Sequence, residues 1–372
     1  MVKSKKRLAL FMHPGVGGAQ KSMMRIASGF ASNGYVVDVI HVRNEFTESF
    51  QSNKGVTHHD LEISSASTLA STLLAIPRLI KLLKYIEPDV LLVTGESAMT
   101  AALIAVSVSG CNVKVVPRFQ VHVERNWQEW PWWRRHLVSI SLRFLLERAY
   151  RLIAVSSGVA DNVSRVFGID RDRIFVAYNP TLTPEYQSML QEAVNHDWFG
   201  SGVPRVILAV GRLTEQKGFD VLLRSFSKAQ EKTEVRLMII GDGPQRARLE
   251  KLVIELGIDK KVQFAGYQRN PYKYMNNADL FVLSSRWEGL PNVLIEAMGA
   301  GLKVIATDCP SGPRDILEDG KWGKLVPVAD VEALTAALVE IVDSNYESPG
   351  TKERAKCFTM KKAIDEYESI MF

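Results

Sequence analysis

Along the whole chain, short runs rich in β-branched and other apolar residues alternate with longer stretches whose apolar positions recur every three or four residues. The short runs predict strands at Arg7–Met12, Val36–His41, Val90–Thr94, Val113–Phe119, Leu152–Val155 and Ile174–Ala177 in the first half. Helices are predicted between them at Ala19–Asn33, Leu69–Ile86, Ala98–Val108, Trp133–Ala149 and Gly158–Phe167. The second half repeats the scheme, with strands at Arg205–Val210, Arg236–Ile240, Val262–Phe264, Leu280–Leu283, Val304–Ala306 and Leu325–Pro327. Strands apolar on both faces and separated by helices imply parallel sheets covered on both sides. The fold class is therefore α/β, as two doubly wound, Rossmann-like domains.

The boundary is legible in Tyr178–Pro204, where Pro180, Pro184, Gly200, Gly202 and Pro204 break the periodicity. The expected organisation is a first domain over 1–180, a linker over 181–204 and a second domain over 205–357. The segment Phe358–Phe372 has helical apolar spacing and is expected to cross back onto the first domain.

Composition narrows the class. The chain has 372 residues, 46% hydrophobic and 23% charged, which fits folded domains and excludes disorder. The three cysteines, Cys111, Cys309 and Cys357, show no metal-ligand spacing, so neither a disulfide framework nor a metal site is expected. The apolar run after the first basic residues stops at Met12, too short for a secretory signal. The longest uncharged stretch, Ser97 to Val113, falls short of the roughly 20 residues that span a bilayer. All of the net charge of +5 lies in residues 1–200, which hold 22 Lys and Arg against 17 Asp and Glu. An anionic partner is expected on that half.

Three loops carry candidate chemistry. The first strand ends in His13-Pro14-Gly15-Val16-Gly17-Gly18-Ala19-Gln20. Glycines between a strand and a helix N-terminus let the backbone approach an anion. The spacing is not that of a nicotinamide-binding loop, and no acidic residue closes the second strand. The second domain opens with Gly211-Arg212-Leu213-Thr214-Glu215-Gln216-Lys217-Gly218, which brings two cations to the edge of a sheet and suits a diphosphate. The most specific stretch runs from Ser284 to Ala297. There Pro291 is expected as the first residue of a helix, so that N–H groups of Leu290, Asn292 and Val293 form an anion site. Glu288 in the loop and Glu296 two turns into the helix suit neutral hydroxyls of a sugar or ribose rather than phosphate.

Glu288 and Glu296 stand in a Glu-x7-Glu spacing that resembles the signature of retaining GT-B transferases, and the whole stretch resembles glycosyltransferase family 4. The resemblance extends over Gly17-Gly18-Ala19-Gln20, Ala154-Val155-Ser156, Tyr178-Asn179-Pro180, Gly241-Asp242-Gly243-Pro244, Asn270-Pro271-Tyr272 and Cys309-Pro310-Ser311-Gly312-Pro313-Arg314. The last two are similar to members that extend lipid-linked bacterial surface oligosaccharides. It implies two domains facing a cleft and a retaining, metal-independent enzyme without cofactor. Its donor would be a nucleotide-sugar, expected to be a UDP-sugar such as UDP-hexose or UDP-HexNAc, and its acceptor a lipid-linked glycan at the cytoplasmic face of the inner membrane.

By the same resemblance Arg212 and Lys217 would bind the donor diphosphate in place of a metal, with Gly17 and Gly18 approaching from the other domain. Glu296 would hold the ribose and Glu288 the transferred sugar, while Gly289, Leu290, Asn292 and Val293 supply backbone contacts. Tyr267 and Gln268 lie where a uracil pocket would form. The family's cleft histidine falls in register with Gln120, and His122, two residues on, keeps the same strand face.

On the acceptor side, residues 112–151 hold eight basic residues, Lys114, Arg118, Arg125, Arg134, Arg135, Arg143, Arg148 and Arg151, against three acidic ones. Within them Trp127, Trp130, Trp132 and Trp133 precede Arg134 and Arg135, a composition suited to an anionic membrane surface. The helix behind is expected to pack Leu137, Ile140, Phe144 and Leu145 against the core. Nucleic acid is not expected, because no nucleic-acid motif is present. A sugar-nucleotide epimerase and a catalytically silent partner subunit are the rival readings. The Glu-x7-Glu segment opposes the first, and the complete set of Arg212, Lys217, Glu288 and Glu296 opposes the second.

Overall fold

The computed structural model describes residues 6–12, 18–42, 55–63, 68–200, 203–343 and 350–372. The chain divides into two compact units, Met1–Pro180 with Met360–Phe372, and Thr181–Thr359.

The first domain runs β1 (Arg7–Met12), α1 (Gly18–Ser32), β2 (Val36–His41), β3 (Val56–Asp60), α2 (Thr68–Ile86), β4 (Val90–Thr94) and α3 (Glu96–Ser109). It continues with β5 (Lys114–Phe119), α4 (Val123–Asn126), α5 (Trp132–Leu146), β6 (Leu152–Ala154), α6 (Ser157–Phe167) and β7 (Ile174–Val176). The second domain holds α7 (Tyr186–Leu190), β8 (Arg205–Val210), α8 (Phe219–Ala229), β9 (Val235–Ile240), α9 (Arg246–Glu255), β10 (Val262–Gly266) and α10 (Tyr272–Met275). Then come β11 (Leu280–Leu283), α11 (Asn292–Ala300), β12 (Lys303–Thr307), α12 (Pro313–Leu317), β13 (Lys324–Val326), α13 (Val331–Asp343) and α14 (Thr351–Ala355). The final helix, α15 (Met360–Met371), returns to the first domain.

Among the described residues every strand pair is parallel, in the orders β3-β2-β1-β4-β5-β6-β7 and β10-β9-β8-β11-β12-β13. The central strands are buried on both faces, as their unbroken apolar runs require. The strand absent from the sequence reading is β3. Its residues, Val-Thr-His-His-Asp, are mostly polar because among the described residues it is an edge strand, paired with β2 alone. In each sheet the order reverses beside the first strand, between β1 and β4 and between β8 and β11. Loops at the carboxyl ends of these strands are where open α/β sheets bind ligands.

The stretch 181–204, read as a linker, falls in the second unit, where it contributes α7 and buries Tyr186 and Leu190. The outgoing and returning chains lie side by side. The N–H groups of Thr181 and Leu182 both donate to the Phe358 carbonyl, at 3.1 Å each, and Leu182 forms a parallel bridge with Thr359.

Arg118, counted in the basic stretch of the sequence, does not reach the surface. It is fully buried on β5, with Nε donating to the Tyr367 hydroxyl at 2.6 Å and Nη2 to Ser22 Oγ at 2.9 Å and to Asn179 Oδ1. It thereby ties α1 and α15 to the end of β5.

Candidate functional site

In the second domain the loops after β8 and β11 flank the point where strand order reverses. The loop after β8 is held from below by the one after β9. Gly211 N–H donates to the Ile240 carbonyl and Leu213 N–H to the Asp242 carbonyl, both at 2.9 Å. The contact is backbone to backbone, and a Cβ on Gly241 would lie 1.9 Å from the Gly211 carbonyl oxygen. Gly218 ends the loop in the left-handed region at φ 61°, where a Cβ would lie 2.1 Å from the Ser284 carbonyl oxygen.

This close approach lets the two loops bond at several points. Ser284 Oγ donates to the Lys217 carbonyl at 2.8 Å, and Arg286 N–H to the Gln216 carbonyl at 2.7 Å. Gln216 Nε2 donates to the Trp287 carbonyl at 2.9 Å. The Arg286 guanidinium grips Asp220 with two bonds of 2.9 and 2.8 Å and also donates to the Glu215 carbonyl at 2.8 Å. Burial alone would raise the Asp220 carboxyl, but the hydrogen bonds and charge of Arg286 hold it below its ordinary value.

The braced loops bring two of the expected residues together. Lys217 Nζ donates to Glu288 Oε1 at 2.6 Å, and Ser285 Oγ donates to the same oxygen at 2.6 Å. Glu288 is only 7% exposed, and its N–H is fixed by the Pro310 carbonyl at 3.1 Å. Beside it the Cys309 thiol is pushed well above its ordinary pKa, first by burial and then by the Glu288 charge. The cation and carboxylate are thus held in one place, while Arg212 on the same loop stays exposed.

Pro291 caps α11 rather than opening it, so the helix begins at Asn292. In its first turn the Leu294 N–H donates to the Pro291 carbonyl at 3.0 Å. Thr181 Oγ1 donates to Asn292 Oδ1 at 3.2 Å. One turn on, the Glu296 carboxylate accepts from the Tyr272 hydroxyl at 3.0 Å. Gly289, Leu290 and Val293 lie with these at the start of α11. Tyr267 is exposed at the end of β10, whereas Gln268 is engaged, donating to the Ala265 carbonyl at 2.8 Å and accepting from the Tyr274 hydroxyl at 3.3 Å. Sequence reasoning missed Asp220, Gln216, Arg286 and Tyr272, whose partners are remote in sequence, and Ser285, whose bond to Glu288 three residues on depends on how the loop folds.

In the first domain Gly18 opens α1, and Gly17 lies outside the described residues. His122 caps the short α4 and is buried, and among the described residues none bonds its Nδ1. Its pKa is lowered, chiefly by burial. Gln120 is committed locally, donating to Thr94 Oγ1 at 2.6 Å.

The tryptophan cluster divides. Trp127 belongs to the core, not to a surface patch: it is 2% exposed, its Nε1 donates to Glu96 Oε1 at 2.7 Å, and its ring packs edge-on against Phe167. Trp130 stacks on Trp127 at 5.3 Å and carries Arg134 over its ring at 4.0 Å, while Arg135 Nε donates to the Trp130 carbonyl at 2.8 Å. Trp132 and Trp133 are exposed by 79% and 53%. The expectation that Leu137, Ile140 and Phe144 face the core is overturned, since they are exposed by 58%, 42% and 63%. With Trp133 they form one row along α5, whose opposite side buries Leu142 and Leu146. Among the described residues no group of three or more His, Cys, Asp or Glu is placed to hold a metal ion, and no helix is long and apolar enough to cross a membrane.

Residues 16–181 match the family described as Glycosyltransferase Family 4, and residues 204–344 match Glycosyl transferases group 1. The chain is 30% identical over 226 residues to the N-acetylgalactosamine-N,N'-diacetylbacillosaminyl-diphospho-undecaprenol 4-alpha-N-acetylgalactosaminyltransferase of Campylobacter jejuni, covering 60% of this chain and 59% of that protein. It is 30% identical over 211 residues to the lipopolysaccharide 1,6-galactosyltransferase of Salmonella typhimurium, covering 54% and 56%. The chain thus spans less than two thirds of the length of these curated relatives. Its fold matches that of the lipopolysaccharide outer core galactosyltransferase WaaB with a TM-score of 0.77 at 21% identity, over 98% of both chains. Anabaena HepE in complex with UDP and glucose matches with a TM-score of 0.76 at 17% identity, again over 98% of both. A glycosyltransferase family model is thus matched in each half of the chain, and the GT-B fold of these glycosyltransferases is shared along nearly its whole length.

Proposed function

We propose that this chain is a retaining glycosyltransferase of bacterial surface-glycan assembly, moving a sugar from a UDP-sugar to a lipid-linked glycan without a metal ion. The observation that carries the reading is the Lys217–Glu288 pair, set beside the start of α11 where the second sheet's strand order reverses. A cation and a helix N-terminus suit the donor diphosphate, and a carboxylate suits sugar hydroxyls. Arg212 and Lys217 stabilise the charge that develops on the leaving diphosphate, the role a metal ion would otherwise fill. Gly17 and Gly18 are read as further phosphate-binding residues, on the sequence resemblance alone. Glu296 takes the ribose, and Tyr267 and Gln268 take the base. Glu288 Oε1 is already engaged by Lys217 and Ser285, which favours hydroxyl binding over nucleophilic attack, so no covalent glycosyl-enzyme forms. His122, rather than the engaged Gln120, is the first domain's contribution to catalysis.

The relatives' names support the acceptor, since one acts on a diphospho-undecaprenol glycan and another on lipopolysaccharide. The exposed row on α5, with Trp132 and the cations Arg134, Arg135 and Arg143, favours peripheral docking on an anionic membrane, at the cytoplasmic face. Screening UDP- and GDP-sugars for a rise in Tm tests the donor. A UDP-sugar that stabilises the protein and then turns over on a lipid-linked acceptor is the expected result. Stabilisation by no nucleotide-sugar, or binding without turnover on any lipid-linked glycan, overturns the reading.

A further inference from the structure

The Glu296 carboxylate is not left to find its own orientation. The Tyr272 hydroxyl donates to its Oε1 at 3.0 Å, and Tyr272 is itself built into place. Its N–H donates to Asn270 Oδ1 at 3.0 Å, and the Asn270 amide donates to the Met189 carbonyl at 2.7 Å, fastening α10 to α7. The Tyr272 ring meets Tyr186 edge-on with centroids 5.0 Å apart. Tyr186 is buried, and its own hydroxyl donates to the main-chain carbonyl of Glu296. Each residue of Asn270-Pro271-Tyr272 thus has work here: Asn270 anchors, Pro271 starts the turn, and Tyr272 reaches the carboxylate.

A carboxylate recognises a vicinal diol with both oxygens in one plane, so the plane must be set before the ligand arrives. A hydrogen bond to one oxygen sets it. We propose that Tyr272 is a positioning residue that aims Glu296 at the donor ribose and makes the site selective for ribonucleotides over their deoxy counterparts. This rests on the reading of Glu296 as the ribose ligand.

Calorimetric titration of UDP and 2′,3′-dideoxy-UDP into the parent protein, Tyr272→Phe and Glu296→Ala separates the two ideas. The parent should prefer UDP, and Glu296→Ala should lose that preference. Tyr272→Phe should weaken UDP by roughly threefold to tenfold, the loss of one hydrogen bond, while dideoxy-UDP binds as before. Its kcat at saturating donor should match the parent's, and Tyr272→His, which returns a donor, should recover part of the preference. Equal loss for both nucleotides, or a variant that does not fold, makes the hydroxyl structural and overturns the proposal. A parental preference retained in Tyr272→Phe but lost in Glu296→Ala overturns the proposal and leaves the ribose reading standing. A preference retained in Glu296→Ala, or no binding of UDP at all, overturns the ribose reading and the proposal with it.

Discussion

Lys217 Nζ lies 2.6 Å from Glu288 Oε1, although the two residues are 71 positions apart in the chain. Neither side chain is more than 18% exposed. The pair holds the two loops at the switch point in register. Under the proposed function it is also the point where donor phosphate and donor sugar meet the protein.

Removing either loop cation should cost catalysis, but only one should cost stability. Arg212→Ala and Lys217→Ala each delete a charge-assisted contact to the leaving diphosphate, worth roughly 1.5–3 kcal/mol, or about ten- to a hundredfold in kcat/KM. Lys217→Ala also strands the buried Glu288, so its Tm should fall while that of the exposed Arg212→Ala stays near the parent's. Turnover should persist in excess EDTA. Parental turnover in both variants, or activity that returns only with added metal, would remove the phosphate assignment.

The two glutamates should separate kinetically. Ribose is held alike in ground and transition states, so Glu296→Ala should mainly weaken UDP binding. Glu288→Gln keeps the shape but loses the charge beside the reacting sugar and should mainly lower kcat. Binding and turnover measured separately would exchange the roles if the pattern came out reversed.

Helix α5 and Trp127 should respond in opposite ways. Changing Trp132, Trp133, Leu137 and Phe144 to Ser removes only exposed surface, so the fold should hold while sedimentation with anionic liposomes is lost. Binding by the parent should weaken with salt, since each basic residue at such a surface contributes about 1 kcal/mol. Trp127→Ala should instead destabilise the first domain by about 3–5 kcal/mol. Liposome binding unchanged in the quadruple variant would send the search for the membrane face elsewhere.

Acid should weaken the first domain through His41. Burial first, and the stacked His58 cation second, lower the His41 pKa to about 4 against the opposing pull of Asp60. The unfolded chain takes up this proton near pH ~6.5, and the folded domain does not until about pH 4. The unfolded state therefore binds more protons across that window, so stability falls as pH drops through it and levels off below it. His41→Gln should flatten the Tm profile between those limits. An identical slope in that variant would assign the acid sensitivity to other groups.

The sequence by itself determined the two parallel sheets, their order of elements and the loops that carry Arg212, Lys217, Glu288 and Glu296. Strands buried on both faces must be continuously apolar, and loops at sheet ends need glycine where backbones meet, as at Gly218 and Gly241. Both are local signals. Tertiary structure decided the rest. An apolar row at helical spacing says that α5 has a greasy side but not whether anything covers it, and here Leu142 and Leu146 go in while Leu137 and Phe144 stay out. Trp127 and Trp133 have the same composition around them and opposite fates, because only Trp127 can reach Glu96 and Phe167. The polar edge strand β3, the neutral partners of buried Arg118 and the bond from Tyr272 to Glu296 depend on partners brought together by the fold. No pattern along the chain encodes which distant residue will arrive.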